Sequence, residues 1–111
     1  MDISEVLKAL ADPNRLRILH LLGDRTLCVC DIELLLKINQ SNLSRHLAKL
    51  KQTGLVHAQK KGLFMHYSRA DFPGAYGPVI AGLYQAMATD PQWVADRQLL
   101  QNQKLCTDGE C

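Results

Sequence analysis

No apolar run in the chain approaches the roughly 18 residues that a helix needs to cross a bilayer, so no membrane partner is expected. The first residues, MDISEVLKAL, lack the basic n-region of a secretory signal. Together these absences point to the cytoplasm, where thiols are ordinarily kept reduced. There is no internal repeat and no low-complexity tract. The C-x-x-C spacing of thiol oxidoreductases is also missing, and no strand-helix context or base-orienter set accompanies the cysteines. A small thiol enzyme is therefore the weakest reading, and the chain is expected not to be an enzyme. Acidic residues are missing from one whole stretch. Between positions 37 and 69 stand Lys37, Arg45, Lys49, Lys51, Lys60, Lys61 and Arg69, with three of the four histidines and no Asp or Glu.

What is present fits one domain. The 111 residues are 47% apolar and 22% charged, the composition of an ordinary globular protein. Residues 1–105 read as a single domain and 106–111, CTDGEC, as a polar, flexible tail. The net charge is only +2. Outside 37–69, however, six basic residues face eleven acidic ones, so the positive charge is concentrated in one segment. That asymmetry suggests a polyanion partner, with nucleic acid the first candidate.

Helical spacing of Ile3, Val6, Leu7 and Leu10, with Ser4 as a cap, marks a first helix. Asp12-Pro13 reads as an N-cap and first helical position, opening a helix over 13–22 that buries Leu16, Ile18, Leu19, Leu21 and Leu22 before Gly23. A short helix is expected over 29–36. KINQS makes a turn, and Asn39 or Ser41 caps a fourth helix running to 52, stopped at Thr53-Gly54. Two short β-like runs, 55–59 and 64–69, flank a turn at Lys61-Gly62. Helical patterns follow over 79–87 and 93–105. The expected class is mainly α with a small β-hairpin (α+β), in the order α-α-α-α-β-β-α: a helix-turn-helix followed by a wing.

In QSNLSRHLAKLKQTG, Leu43, Leu47 and Leu50 form a narrow apolar face, expected to pack on the third helix. The outward set is read as Gln40, Ser41, Asn42, Ser44, Arg45, His46 and Lys49, side chains suited to base edges and phosphates. Lys60 and Lys61, with help from His66, suit a wing lying over the duplex backbone or minor groove. Double-stranded operator DNA is the expected partner. One such domain contacts few base pairs, so a homodimer on a two-fold site is expected. Ile3, Val6, Leu7 and Leu10, with Val79, Ile80, Leu83, Tyr84 and Met87, offer the terminal helices as its interface.

The segments ALADPNRLRILHLL, LCVCD, NQSNLSRHLAKLKQTGLV and KKGLFMHYSRA, in that order over residues 5–69, resemble the ArsR/SmtB family of winged-helix metal-sensing repressors. LCVCD resembles the arsenic-responsive branch. The resemblance implies a homodimeric repressor, bound to its operator when metal-free and released by trivalent arsenic or antimony as inducer, with no organic cofactor.

The cysteines agree with it chemically. Trivalent arsenic is soft and prefers thiolates, and a helix N-terminus lowers a thiol's pKa. Cys28 and Cys30 are the candidate ligands. A disulfide between them is not expected, because residues so close rarely reach its geometry. Cys28 falls about where the N-cap of the third helix should be, and Cys30 about two residues in. In a regular helix, positions i and i+2 point about 200° apart, so sharing an ion would distort the first helical turn. The family's third cysteine falls at Glu33. Cys106 or Cys111 could supply the missing sulfur, from the same chain or its mate, or form a separate site. The family's zinc sensors carry ligands on the last helix and its cadmium/lead sensors an N-terminal cysteine. This chain has no His after His66 and no Cys before Cys28. His20, read as core-edge, and His57 are assigned no metal role. A zinc/cadmium-type sensor and a thiol redox-sensing repressor of the same fold remain the alternatives.

Overall fold

The computed structural model describes residues 2–102, so the expected end of the last helix, the tail and both Cys106 and Cys111 lie outside it. The chain runs α1 (Ile3–Leu10), α2 (Pro13–Leu22), β1 (Thr26–Cys28), α3 (Val29–Leu36), α4 (Gln40–Gln52), β2 (Val56–Lys61), β3 (Phe64–Arg69), α5 (Gly77–Thr89) and α6 (Pro91–Asn102). The helix-turn-helix and wing fall where the residues place them. The expected order lacks only β1, and it fuses the C-terminal helices that Asp90-Pro91 separates.

Local chemistry accounts for the boundaries. Asp2, not Ser4, caps α1, its carboxylate accepting from the Ser4 backbone N–H and hydroxyl. Asp12 accepts from the N–H groups of Asn14 and Arg15 ahead of Pro13, and Asn39 accepts from Asn42 N–H at 2.9 Å. The end of α4 is a Schellman motif. Leu55 N–H reaches the Leu50 carbonyl, Gly54 N–H reaches that of Lys51, and Gly54 takes the positive φ this closure requires. Leu55 then accepts from Ala70 N–H, closing the base of the wing. The tight turn between α3 and α4 depends on Lys37, whose φ of 55° makes it a left-handed cap without glycine.

The sheet has the order β1-β3-β2, all antiparallel. Thr26, Leu27 and Cys28 pair with Ser68, Tyr67 and His66 of the wing strand. One core runs beneath the sheet and helices, with Val6, Ile18, Leu19, Leu22, Leu27, Ile32, Leu43, Leu47, Leu50 and Leu55 at or near zero exposure. Leu16, expected in it, is only half-buried. The Leu43, Leu47 and Leu50 face of α4 joins the same core as Ile32, Leu35 and Leu36 of α3, and α4 also packs on α2 and β2. Above the core, Arg17 grips Asp96 through Nε at 2.9 Å and a second nitrogen at 3.2 Å, holding α6 on α2. The Arg69 guanidinium lies over the Tyr84 ring at 4.0 Å, joining β3 to α5.

His20 and His46 are both buried, at 2% and 9% exposure. His20 is thus core rather than core-edge, and its Nε2 has no hydrogen-bond partner among the described residues. Burial lowers the pKa of each, with Arg97 adding to the effect at His20 and Arg15 at His46. Each therefore binds its proton more tightly when unfolded, around the reference value of about 6.5. Their contribution to stability is present above that pH and lost as pH falls below it. The melting temperature is expected to fall between pH 7.5 and 5.5, measured by circular dichroism, and to fall less in a His20→Leu/His46→Gln variant.

Candidate metal centre and nucleic-acid interface

Cys28 has two structural roles. It ends β1, paired with the wing, and it is the N-cap of α3, with extended backbone at φ −71° and ψ 149°. Its sulfur accepts from the Cys30 N–H at 3.2 Å. The structure joins Cys28 and Cys30 as a disulfide, contrary to the expectation of two reduced, unbridged thiols. The physical reason is the cap. Only Cys30 has helical backbone, so the 200° relation does not apply, and the Cα atoms stand 5.3 Å apart, within the range that a disulfide spans. The two sulfurs therefore converge without unwinding α3.

A third donor stands beside them. One ligand atom each from Cys28, Cys30 and Asp31 lies within 4.8 Å of the others, the one such group among the described residues. Asp31 and Cys28 are each 1% exposed, and Cys30 is half-buried. Sequence reasoning assigned Asp31 no role, although it directly follows the motif's second cysteine. Glu33 is not in the group. His66 faces Cys28 across the sheet, but its Nδ1 lies against the Phe64 carbonyl at 3.3 Å.

The expected DNA-facing set divides. Gln40, Ser41, Ser44 and Arg45 are exposed at the start of α4, with no acid in the first turn. Asn42 is half-buried, its side-chain oxygen accepting from Arg45. Lys60 and Lys61 stand exposed beside the Gly62 turn, next to Leu63. His46 is not outward. It extends the stripe of Leu43, Leu47 and Leu50, and its Nδ1 meets an Arg15 nitrogen at 3.4 Å. Arginine only donates, so that contact requires a neutral ring accepting at Nδ1. Arg15 also donates to the carbonyls of Ala9 and Lys8 at the end of α1. Lys49 is half-buried and pairs with Glu5 of α1 at 3.6 Å.

The interface proposed from the terminal helices also divides. Val6, Leu10, Ile80, Tyr84 and Met87 belong to the monomer core, while Leu7 and Val79 stay 54% and 66% exposed. Ile3 and Leu83 are packed in part. Among the described residues, no helix is long and apolar enough to cross a membrane.

A helix-turn-helix backed by a three-stranded sheet with a basic hairpin defines a winged helix-turn-helix protein. Residues 12–58 match the model of the family described as bacterial regulatory protein, arsR family, and the chain belongs to that family, whose members are transcriptional regulators rather than enzymes. It is 44% identical over 64 residues to the arsenical resistance operon repressor of Escherichia coli, covering 57% of this chain and 55% of that protein. It is 36% identical over 72 residues to a cadmium resistance regulatory protein CadC homolog of Staphylococcus aureus, covering 64% and 60%. The chain thus spans little more than half the length of these curated relatives. Among solved structures, the homodimeric winged helix-turn-helix DNA-binding domain of a possible ArsR-family regulator from Mycobacterium bovis is 34% identical. It superposes with a TM-score of 0.64 over 78% of this chain and 77% of that one.

The disulfide is directly testable, because Arg25 and Lys37 bracket it in a tryptic peptide free of other cysteines. In unreduced protein the peptide 26–37 should take up no iodoacetamide, and after reduction it should take up two. Two labels without reduction would exclude the bridge in solution.

Proposed function

We propose that the chain is a repressor that binds double-stranded operator DNA as a homodimer and is released by trivalent arsenic or antimony held on reduced Cys28 and Cys30. The observation that carries this reading is the position of Cys28, at once the cap of the helix-turn-helix and the rung opposite His66 of the wing. The donor chemistry fits, since two convergent sulfurs suit a soft, thiophilic ion. Such an ion, when bound, would be held by Cys28 and Cys30 and would supply a thiophilic centre drawing both sulfurs to it.

This chain's part in release follows from the ladder. Cys28 cannot shift toward an ion without carrying β1, and β1 is hydrogen-bonded to β3. The wing and the cap of α3 therefore move together, and with them the placement of Lys60, Lys61 and the start of α4. Arg45, Gln40, Ser41, Asn42 and Ser44 are assigned to the major groove, and Lys60 and Lys61 to the phosphates. His46 and Lys49, which sequence reasoning grouped with them, position α4 instead. Leu7 and Val79 offer apolar surface for the second copy. Cys106 and Cys111 remain candidate outside donors.

A redox reading of the same fold is favoured by the disulfide itself. Here two thiols give two electrons and two protons to a peroxide or disulfide oxidant, and the bridge replaces the ion. A cadmium- or zinc-type site has the CadC-like relative in its favour, but its support stops at Asp31, the one non-sulfur donor beside the thiols.

The test is operator binding by fluorescence anisotropy, titrated with arsenite, antimonite, zinc, cadmium, lead and, separately, peroxide. Arsenite and antimonite should release reduced wild-type protein, while Cys28→Ser and Cys30→Ser bind DNA and ignore both. Release by zinc or cadmium alone would overturn the metal assignment, and release by peroxide alone would establish the redox reading. On the DNA side, Arg45→Ala should cost about 1–3 kcal/mol and relax sequence preference, whereas each of Lys60→Ala and Lys61→Ala should lower the salt slope by about 1.

A further inference from the structure

We infer that Asp31 is the third donor of the Cys28–Cys30 site, making it a two-sulfur, one-oxygen centre for a trivalent ion of the arsenic group, with antimony favoured. This inference rests on the function proposed above and names the ligand set and substrate class of that site. Three observations carry it. The Asp31 carboxylate lies within 4.8 Å of both sulfurs, close enough for the three donors to be drawn onto one ion. Asp31 and Cys28 are each 1% exposed, so charge brought together there is poorly served by water. Glu33, at the position where a third sulfur was expected, is outside the group.

Charge selects among ions. Two thiolates and a carboxylate carry three negative charges. A trivalent ion matches that count of anionic donors, whereas a divalent ion falls one charge short of it. Within the trivalent group, the harder carboxylate oxygen suits the larger, more oxygen-tolerant antimony better than arsenic. Binding is ligand exchange without redox chemistry. Two metal–sulfur bonds and one metal–oxygen bond form; from the trihydroxide three hydroxides leave as water, taking two protons from the thiols and one from solvent, and from antimonyl tartrate the tartrate leaves with its two alkoxide oxygens protonated by the thiols. The disulfide must first be reduced, and a phosphine reductant avoids the metal affinity of dithiols.

Full-length protein reduced with a phosphine would be titrated with potassium antimonyl tartrate, following the near-ultraviolet sulfur-to-antimony charge-transfer band. Asp31→Asn should bind at least about 10- to 100-fold more weakly than wild type, the scale on which loss of even an outer-shell partner weakens a metal site, and its loss should be larger for antimony than for arsenite. X-ray absorption of the wild-type complex should give two sulfurs and one oxygen in the first shell. Three sulfurs, or an Asp31→Asn affinity equal to wild type, would overturn the inference while leaving the proposed function standing. Undiminished binding by Cys28→Ser/Cys30→Ser would overturn both. If Asp31→Asn fails to fold, as its melt would reveal, the wild-type sulfur count decides alone.

Discussion

The structure turns on the backbone of one residue. Cys28 is extended, so it can end a strand; its sulfur accepts from the Cys30 N–H, so it can cap a helix. Had residue 28 been helical, its sulfur would project away from that of Cys30, and the strand that ties the wing to the body would end earlier. The extended cap solves both problems. It places two sulfurs together at the N-terminus of α3, where the helix dipole favours thiolate, and keeps one of them in register with the wing. The site and the DNA-facing elements share a residue.

The other end of α4 is fixed by α1. Arg15 caps the carbonyls of Lys8 and Ala9 and reaches His46, while Lys49 pairs with Glu5. None of these contacts is large alone, and the Glu5–Lys49 pair is partly exposed and so worth little. Their value is directional, because they set the angle at which Gln40, Ser41, Ser44 and Arg45 are presented. The same α1 carries the exposed Leu7. A second copy seated there would press on the helix that orients α4, so dimer geometry and DNA geometry would be set by one element.

Much of this was legible in the residues. Asp12-Pro13, Asn39 and Thr53-Gly54 act through local hydrogen bonds, and local rules place such boundaries well. β1 was not legible, being three residues long with no alternation and hydrogen-bonded to a strand some forty positions away. His46 was misread because the helix face was drawn from leucines alone. The spacing 43, 46, 47, 50 is a full amphipathic stripe, and a histidine fits it when neutral and hydrogen-bonded. The terminal helices looked like surplus apolar surface, yet Ile80, Tyr84 and Met87 bury against the body and leave Val79 outside. The thiols were judged on helical geometry, which fails at a cap. Asp31 escaped notice because an acid in a first helical turn already has an ordinary explanation.

The placement of Cys28 also bears on how strongly the two sites can be coupled. A ligand shifts a conformational equilibrium only by the difference in its affinity for the two states. An ion held by side chains alone on the surface of α3 would meet the same donors whether or not the wing was seated on DNA, and would have no means of releasing it. In the proposed function Cys28 is a donor whose backbone is a rung of the wing's ladder. The separation of the sulfurs that suits an ion and the position of Cys28 that suits the ladder are then set by different requirements, and their mismatch would be the coupling energy. Reciprocity then follows without further assumption: whatever factor the ion costs the DNA, bound DNA costs the ion. A switch built this way needs no long pathway through the core, because the two equilibria meet at one residue.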